Sequence, residues 1–328
     1  MFIFVSILSI TEKIMTIQQL EYIIAVDNYR HFAKAAEACY VTQPTLSMMI
    51  QKLEDELGVK IFDRRANPVE PTGIGKLILE QARTSVCHFN QVKEVINNEM
   101  NILEGDFKIG IIPTIATYIV PELLRTVGAA ETDINLIMRE KPTSVIIEDI
   151  INGKLDGGLA ATPLNNPMLM EIPIYYEKFY AYTSPLDSFA EDEEIDMANI
   201  DICDLWLLKD IHCLRGQALN LCQRRQEGLE CRTVKYESGS LDTLISIVDY
   251  NGGLTIIPEM TAMGLPEEKQ SNLRNIKGNT TVREVSLLVS KEFVRHNVAN
   301  AIVDMIKRSV PKSMQDPELK KYTIGVIQ

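Results

Sequence analysis

Apolar residues recur at helical spacing from Ile17 to Leu57: Leu20, Ile23, Ile24 and Val26, then Phe32, Ala35, Ala36 and Ala38, then Leu46, Ile50, Leu53 and Leu57. That spacing predicts three short helices. Thr42 and Pro44 offer an N-cap and a first-turn proline, so the third helix is expected to start there, and Gly58 stands where a C′ residue would stop it. Val59 to Asp63 and Val69 to Thr72, either side of an Asn67–Pro68 turn, predict a two-stranded wing.

From Gly75 to Leu103 there is no proline, and apolar residues fall at Leu77, Ile78, Ala82, Val86, Phe89, Val92, Val95, Ile96 and Met100. One amphipathic helix of ~40 Å is predicted, ended by Gly105; it is too long to fold back within a small domain and reads as a linker that also makes a helix–helix contact. Beyond it, short apolar strands alternate with helices. Strands are expected at Phe107–Ile112, Ile134–Arg139, Leu159–Thr162, Lys178–Tyr182, Trp206–Leu208, Thr233–Tyr236, Leu254–Pro258 and Val282–Val289. Helices are expected at Tyr118–Val127, Ser144–Ile151, Leu214–Arg225, Leu241–Tyr250 and Val294–Arg308. Repeated βα units predict a mostly parallel sheet with helices on both faces, and the tail from Pro311 is expected to be loosely held.

Length and composition agree with this division. A chain of 328 residues, 46% apolar and 24% charged, is expected to form more than one globular unit. The boundaries read as a winged helix-turn-helix over 16–72, a linker helix over 73–104 and a two-lobed α/β domain over 105–310. The net charge of -12 speaks against a basic coat, yet Thr16 to Ala66 carries six basic and seven acidic residues and is near neutral. The acidic excess lies downstream, where it would repel non-specific DNA. The apolar run Met1–Ile10 has no basic n-region and no A-x-A-like site, so it reads as upstream of a working start near Met15 rather than as a signal peptide, and the protein is expected in the cytoplasm.

The segment HFAKAAEACYVTQPTLSMMIQKLEDELG, residues 31–58, places an Ala-rich helix, a tight turn at Tyr40–Val41, and a second helix whose first turns offer Gln43, Thr45, Ser47 and Gln51. These are hydrogen-bonding side chains of the kind that read a major groove, although a plain helical hairpin with a polar face would look similar. The longer pattern LEYIIAVDNYRHFAKAAEACYVTQPTLSMMIQKLEDELGVKIFDR, followed by PTGIGKLILEQA, resembles the N-terminal domain of LysR-type transcription regulators over residues 17 to about 82. The resemblance implies that Thr42, Gln43, Pro44, Thr45 and Ser47 lie at or beside DNA, that Arg64 and Arg65 lie near phosphates, and that Gly73 joins wing to linker. It further implies homodimers assembled into tetramers on promoter DNA, action through RNA polymerase, and a periplasmic-binding-protein-like pair of lobes downstream. An enzyme is not expected.

Six cysteines, Cys39, Cys87, Cys203, Cys213, Cys222 and Cys231, lack the density of a disulfide scaffold, so structural disulfides are not expected. Cys39, Cys87, Cys203 and Cys231 are expected to pack as small apolar groups. With no CxxC and four histidines, neither a metal site nor a cofactor is expected. Cys213 differs: His212 and Arg215 flank it and a helix is predicted to follow, three features that stabilise a thiolate. Cys222 comes nine residues later, ~13.5 Å away along a straight helix, too far for a disulfide without local unfolding. On these residues alone, two buried inert thiols remain an equal reading.

The run His-Cys-Leu-Arg, with Gln217 and a second cysteine, resembles the sensing loop of the hydrogen-peroxide-responsive activators in the LysR-type family. So do Ile112-Pro113-Thr114, Thr143 and the stretch from Gly252 to Pro258. The resemblance implies that Cys213 is the peroxidatic thiolate and Cys222 the resolving thiol, with Thr114, Thr143, His212, Arg215 and Gln217 as the peroxide pocket and a cellular thiol reductant resetting the pair. Gly216 departs from the motif, which has Asp there, so peroxide sensitivity is expected to differ. The alternative expectation is a regulator that answers to a small metabolite between its lobes.

Overall fold

The computed structural model describes residues 15–100, 102–127, 133–185, 187, 192–197, 199–209, 213–221, 238–278 and 281–324. The chain divides into two compact units, one containing residues 15–99 and the other most of the remainder.

In the first unit, helices α1 (Ile17–Tyr29), α2 (Phe32–Ala38) and α3 (Gln43–Leu57) precede a wing of β1 (Phe62–Asp63) and β2 (Glu70–Pro71), and α4 (Gly73–Glu99) closes the unit. Helix α1 starts on a capping box in which the Thr16 side chain accepts from the Gln19 amide and Gln19 accepts from the Thr16 amide. Helix α2 is capped by His31, whose Nδ1 accepts from the amides of Ala33 and Lys34. Helix α3 stops at Gly58, which takes the left-handed conformation (φ 71°) that a C′ residue needs.

The core of this unit joins Ile23, Val26, Ala35, Leu46, Ile50, Leu53, Ile61 and Phe62 to Leu79 and Ala82 of α4. The linker helix is therefore also core over its first three turns. Ala35 and Ala36 are buried at the helix contact, as the close-approach argument requires, but Ala38 is exposed. Gly75 marks the tightest point: a Cβ there would run into the Ile61 carbonyl oxygen. Beyond Val86 the apolar side chains of α4 face outward, with Phe89, Val92, Val95, Ile96 and Met100 all exposed.

The second unit is built on a nine-stranded sheet ordered β4 (Asp133–Glu140), β3 (Glu104–Ile111), β5 (Gly157–Thr162), β11 (Val282–Ser290), β6 (Leu169–Thr183), β10 (Leu273–Ile276) and β7 (Glu194–Ile195); β9 (Leu254–Pro258) also pairs with β6, and β8 (Leu205–Trp206) lies outside β9. Two hydrophobic cores share it. One gathers around Phe107, Ile109, Leu159 and Leu287 with Ile119 of α5 (Pro113–Val127), Ile146 of α6 (Thr143–Ile151) and Ile302 of α11 (His296–Arg308). The other gathers around Phe179, Tyr182, Leu254 and Ile256 with Leu214 of α7 (Cys213–Leu221), Leu244 of α8 (Leu241–Asn251) and Ala262 of α9 (Glu259–Met263). These are two lobes, joined by β6 and β11.

Four expectations from the sequence need correction. The sheet is mixed, not mostly parallel: β3 pairs parallel with β4 and β5, but β6 and β11 run antiparallel to each other across both lobes. Strand β6 begins at Leu169, nine residues before its expected start, because Leu169–Glu177 carries polar side chains that pairing with β11 nonetheless holds extended. Helix α4 ends at Glu99, and Gly105 lies within β3 with φ 87° rather than at a helix end. The tail is docked. Met314 is 2% exposed within the first lobe's core, Gln315 donates to the carbonyls of Lys307 and Val310, and the Ile324 amide donates to Val282.

Candidate functional site

The outer face of α3 presents Thr42, Gln43, Pro44, Thr45 and Gln51 to solvent, with Ser47 half-buried. Thr42 occupies the N-cap position with extended backbone, and its hydroxyl meets that of Thr45 at 2.8 Å rather than capping an amide. Tyr40, in the turn before it, has φ 56° and is 97% exposed. The helix thus enters with its donors and acceptors clear of the core, the arrangement that reads base edges.

The wing is fastened to this helix by one carboxylate. Glu54 has no exposed side-chain surface; its Oε1 accepts from the amides of Ile61 (2.8 Å) and Phe62 (3.3 Å), and its Oε2 meets Lys60 Nζ (3.1 Å) and Arg64 (3.4 Å). Arg64 also donates to Ser47 Oγ (3.2 Å) and stands over the Phe32 ring. Arg65 projects outward, its side chain 94% exposed. In the sequence, Glu54 is one acid in the run Glu54-Asp55-Glu56; that it falls on the same helical row as Ile50 and Leu53 is the signal that marks it as buried.

In the first lobe, Thr114 and Thr143 occupy equivalent places. Ile111 of β3 pairs with Glu140 of β4, and each threonine follows three residues later at the start of a helix, on the carboxyl edge of a parallel pair. That edge is where α/β sheets bind ligands. Both side chains are buried, and Thr114 Oγ1 accepts from Arg283 (3.1 Å). Arg283 and Glu177 pair across β11 and β6, and the Glu177 Oε2 also accepts from the Met260 amide (3.1 Å). The sequence analysis passes over Arg283 and Glu177. A charge inside a strand buried along nearly its whole length must have a partner, and that was the available signal.

In the second lobe, Cys213 is the first residue of α7 and Gln217 lies one turn on. Gln217 is fully buried, yet neither its Oε1 nor its Nε2 meets a hydrogen-bond partner among the described residues. Arg215 donates to the Leu208 carbonyl (3.0 Å). His212 and Cys222 lie outside the described residues, as does the expected strand Thr233–Tyr236, and of Cys213 only the backbone is described.

The cysteines depart from expectation at one position. Cys39 and Cys87 are free thiols, the former with its pKa raised by burial first and the charge of Glu21 second. Cys87 is exposed on α4 rather than packed, and Cys203, in the 3-10 turn before β8, is disulfide-bonded. Packing arguments from composition do not see a cross-link that the fold brings together. Among the described residues no three His, Cys, Asp or Glu side chains cluster to hold a metal, and no helix is long and apolar enough to cross a membrane.

A winged helix-turn-helix, a long helix and a two-lobed domain define a ligand- or signal-responsive DNA-binding regulator, and the chain belongs to the LysR family: residues 17–76 match the bacterial regulatory helix-turn-helix of that family and residues 101–311 its substrate-binding domain. Within the family it is similar to OxyR. It is 34% identical to the hydrogen peroxide-inducible genes activator of Haemophilus influenzae over 76% of this chain and 82% of that one, and 32% identical to the DNA-binding transcriptional dual regulator OxyR of Escherichia coli over 78% and 82%. Full-length OxyR from Pseudomonas aeruginosa superposes with a TM-score of 0.76 at 28% identity, over 90% of this chain and 98% of that one. A Corynebacterium glutamicum OxyR mutant with bound hydrogen peroxide superposes at 0.58 and 26%, over 91% and 93%.

Proposed function

We propose that this chain is a transcription activator that senses hydrogen peroxide through reversible disulfide formation between Cys213 and Cys222. The observation that carries the reading is the first turn of α7. Cys213 opens the helix, where the dipole favours a thiolate, and Gln217 one turn on holds a buried amide with donor and acceptor both unused. A small polar molecule such as peroxide would satisfy both.

In the reaction, the Cys213 thiolate attacks one peroxide oxygen, the O–O bond breaks, and the departing hydroxide takes a proton to become water, leaving a sulfenic acid. The Cys222 thiol then attacks that sulfur, the S–O bond breaks, and a second water leaves. Thr114, Thr143, His212, Arg215 and Gln217 form the pocket that orients the peroxide and stabilises the hydroxide. Arg283, held by Glu177, fixes the Thr114 hydroxyl within it. Leu221 lies eight residues along α7 from Cys213, ~12 Å of axial rise, whereas a disulfide needs Cα atoms within ~7 Å. Closing the bond therefore unwinds α7, and that repacking is the switch.

The output is DNA binding in the cytoplasm. Thr42, Gln43, Pro44, Thr45, Ser47 and Gln51 meet base edges and nearby backbone, while Arg64 and Arg65 meet phosphates. The exposed stripe Phe89, Val92, Val95 and Ile96 on α4 joins two copies, pairs of dimers form the tetramer that engages RNA polymerase, and a cellular thiol reductant restores the dithiol.

The test is mass spectrometry of the reduced protein after a single equivalent of hydrogen peroxide, with free thiols alkylated. A dominant Cys213–Cys222 link, and a trapped sulfenic acid in Cys222→Ser, are expected. If both cysteines stay alkylatable, the peroxide reading fails and a metabolite between the lobes becomes the signal.

A further inference from the structure

We propose that Cys203 and Cys231 form a second disulfide in the second lobe, distinct from the pair that senses peroxide. Cys203 is disulfide-bonded, while Cys39 and Cys87, both in the other unit, are free. Its partner is therefore Cys213, Cys222 or Cys231.

The sheet register separates these three. Leu208 lies beside Ser238 in a parallel bridge, and the Lys209 amide donates to the Ser238 carbonyl. Going back along the chain from Leu208 passes β8 and reaches Cys203 five residues earlier; going back from Ser238, a parallel neighbour reaches the same level near Thr233, close to Cys231. The pattern Thr233–Tyr236, which reads as a strand, supplies that neighbour. Adjacent strands lie ~4.8 Å apart, inside the Cα separation a disulfide spans. Cys213 lies five residues beyond Leu208 in the opposite direction, and Cys222 follows a helix that packs its Leu214 and Ala218 against the sheet face, a layer away.

The bond forms as two S–H groups lose their hydrogens and two electrons, and the O–O bond of a peroxide molecule is reduced to two waters; a dithiol reductant reverses it by exchange. Only the choice of oxidant rests on the proposed function. The link ties the start of β8 to the chain that enters the sheet at Ser238. It fixes the far end of the segment that carries Cys222, so rearrangement of that segment is confined to residues before 231.

Trypsin cuts after Lys209, Arg215, Arg224 and Arg232 and leaves each of the four cysteines on its own peptide, so the full-length protein reports its pairing directly. Peroxide-treated wild type, alkylated in acid before digestion, is expected to give the linked Cys203 and Cys231 peptides, and Cys213→Ser is expected to give the same link undiminished. In Cys203→Ser, Cys231 becomes alkylatable while the Cys213 and Cys222 peptides map as in wild type. A Cys203 that stays alkylatable after peroxide, a Cys203 linked to Cys213 or Cys222, or a link between two chains on a non-reducing gel would each overturn the proposal. Loss of the Cys213–Cys222 link with the second one intact would sink only the peroxide-sensing reading.

Discussion

Arg283 and Glu177 face each other in register across β11 and β6, and their paired side chains are 1% and 0% exposed. The strands that carry them are the two that link the lobes, so the pair sits where any change in one lobe reaches the other. Removing one partner leaves a buried charge alone, which costs ~3–5 kcal/mol. Glu177→Ala is expected to lower unfolding free energy in urea by that order. Replacing both by apolar residues of similar size should cost much less, and equal losses in the single and double variants would refute the pairing argument.

The Glu54 carboxylate plays the matching part in the DNA-binding unit, where four donors converge on it. Glu54→Ala strands the amides of Ile61 and Phe62 and frees the wing from α3; a loss of ~2–4 kcal/mol is expected. DNA affinity should fall with it. A variant whose melting is unchanged would show that water replaces the carboxylate.

Arg65 and Gln43 should fail in different ways on DNA. Arg65, exposed and paired only with its neighbour Asp63, serves as a phosphate contact, so Arg65→Ala is expected to weaken binding to every sequence and to lower the salt slope by ~1. Gln43→Ala should leave the slope alone and relax preference at particular base pairs by ~1–3 kcal/mol. Competition titrations at several salt concentrations separate the two. A common slope change for both would place Gln43 on the backbone.

Two phenols set an alkaline limit. Burial first, and then Glu284, pushes Tyr176 up to about 12; burial first, and then the hydrogen bond to Asp249, pushes Tyr182 up to about 12 as well. The ordinary value is 10.0, so the folded chain keeps protons that the unfolded chain releases. Stability from these groups is full below pH 10 and is lost as pH rises towards 12. Thermal melts across that interval should fall less steeply in the Tyr176→Phe/Tyr182→Phe variant, and identical slopes would contradict the assignment.

Much of this was legible in the sequence. Helical spacing gave α1 to α3, Gly58 and Pro44 gave the limits of α3, and β9 was read at its full extent, Leu254–Pro258. What escaped depends on distant partners. Leu169–Glu177 carries no strand pattern strong enough to predict half of β6, because pairing with β11 supplies it. Glu54, Glu177 and Arg283 are ordinary charged residues until folding encloses them. Likewise Cys203 shares no motif with any other cysteine, and only the fold gives it a bond.

The docked tail changes how the lobes can move. Its Met314 belongs to the first lobe's core, and ten residues on Ile324 packs against the second while bonding to Val282, beside Arg283. The lobes are thus joined by three lengths of chain, not two. Two parallel straps make a hinge; a third, set apart from them, acts as a brace. A signal in the second lobe is then transmitted by local rearrangement within a stiffened frame, rather than by the lobes clamping shut around what they detect.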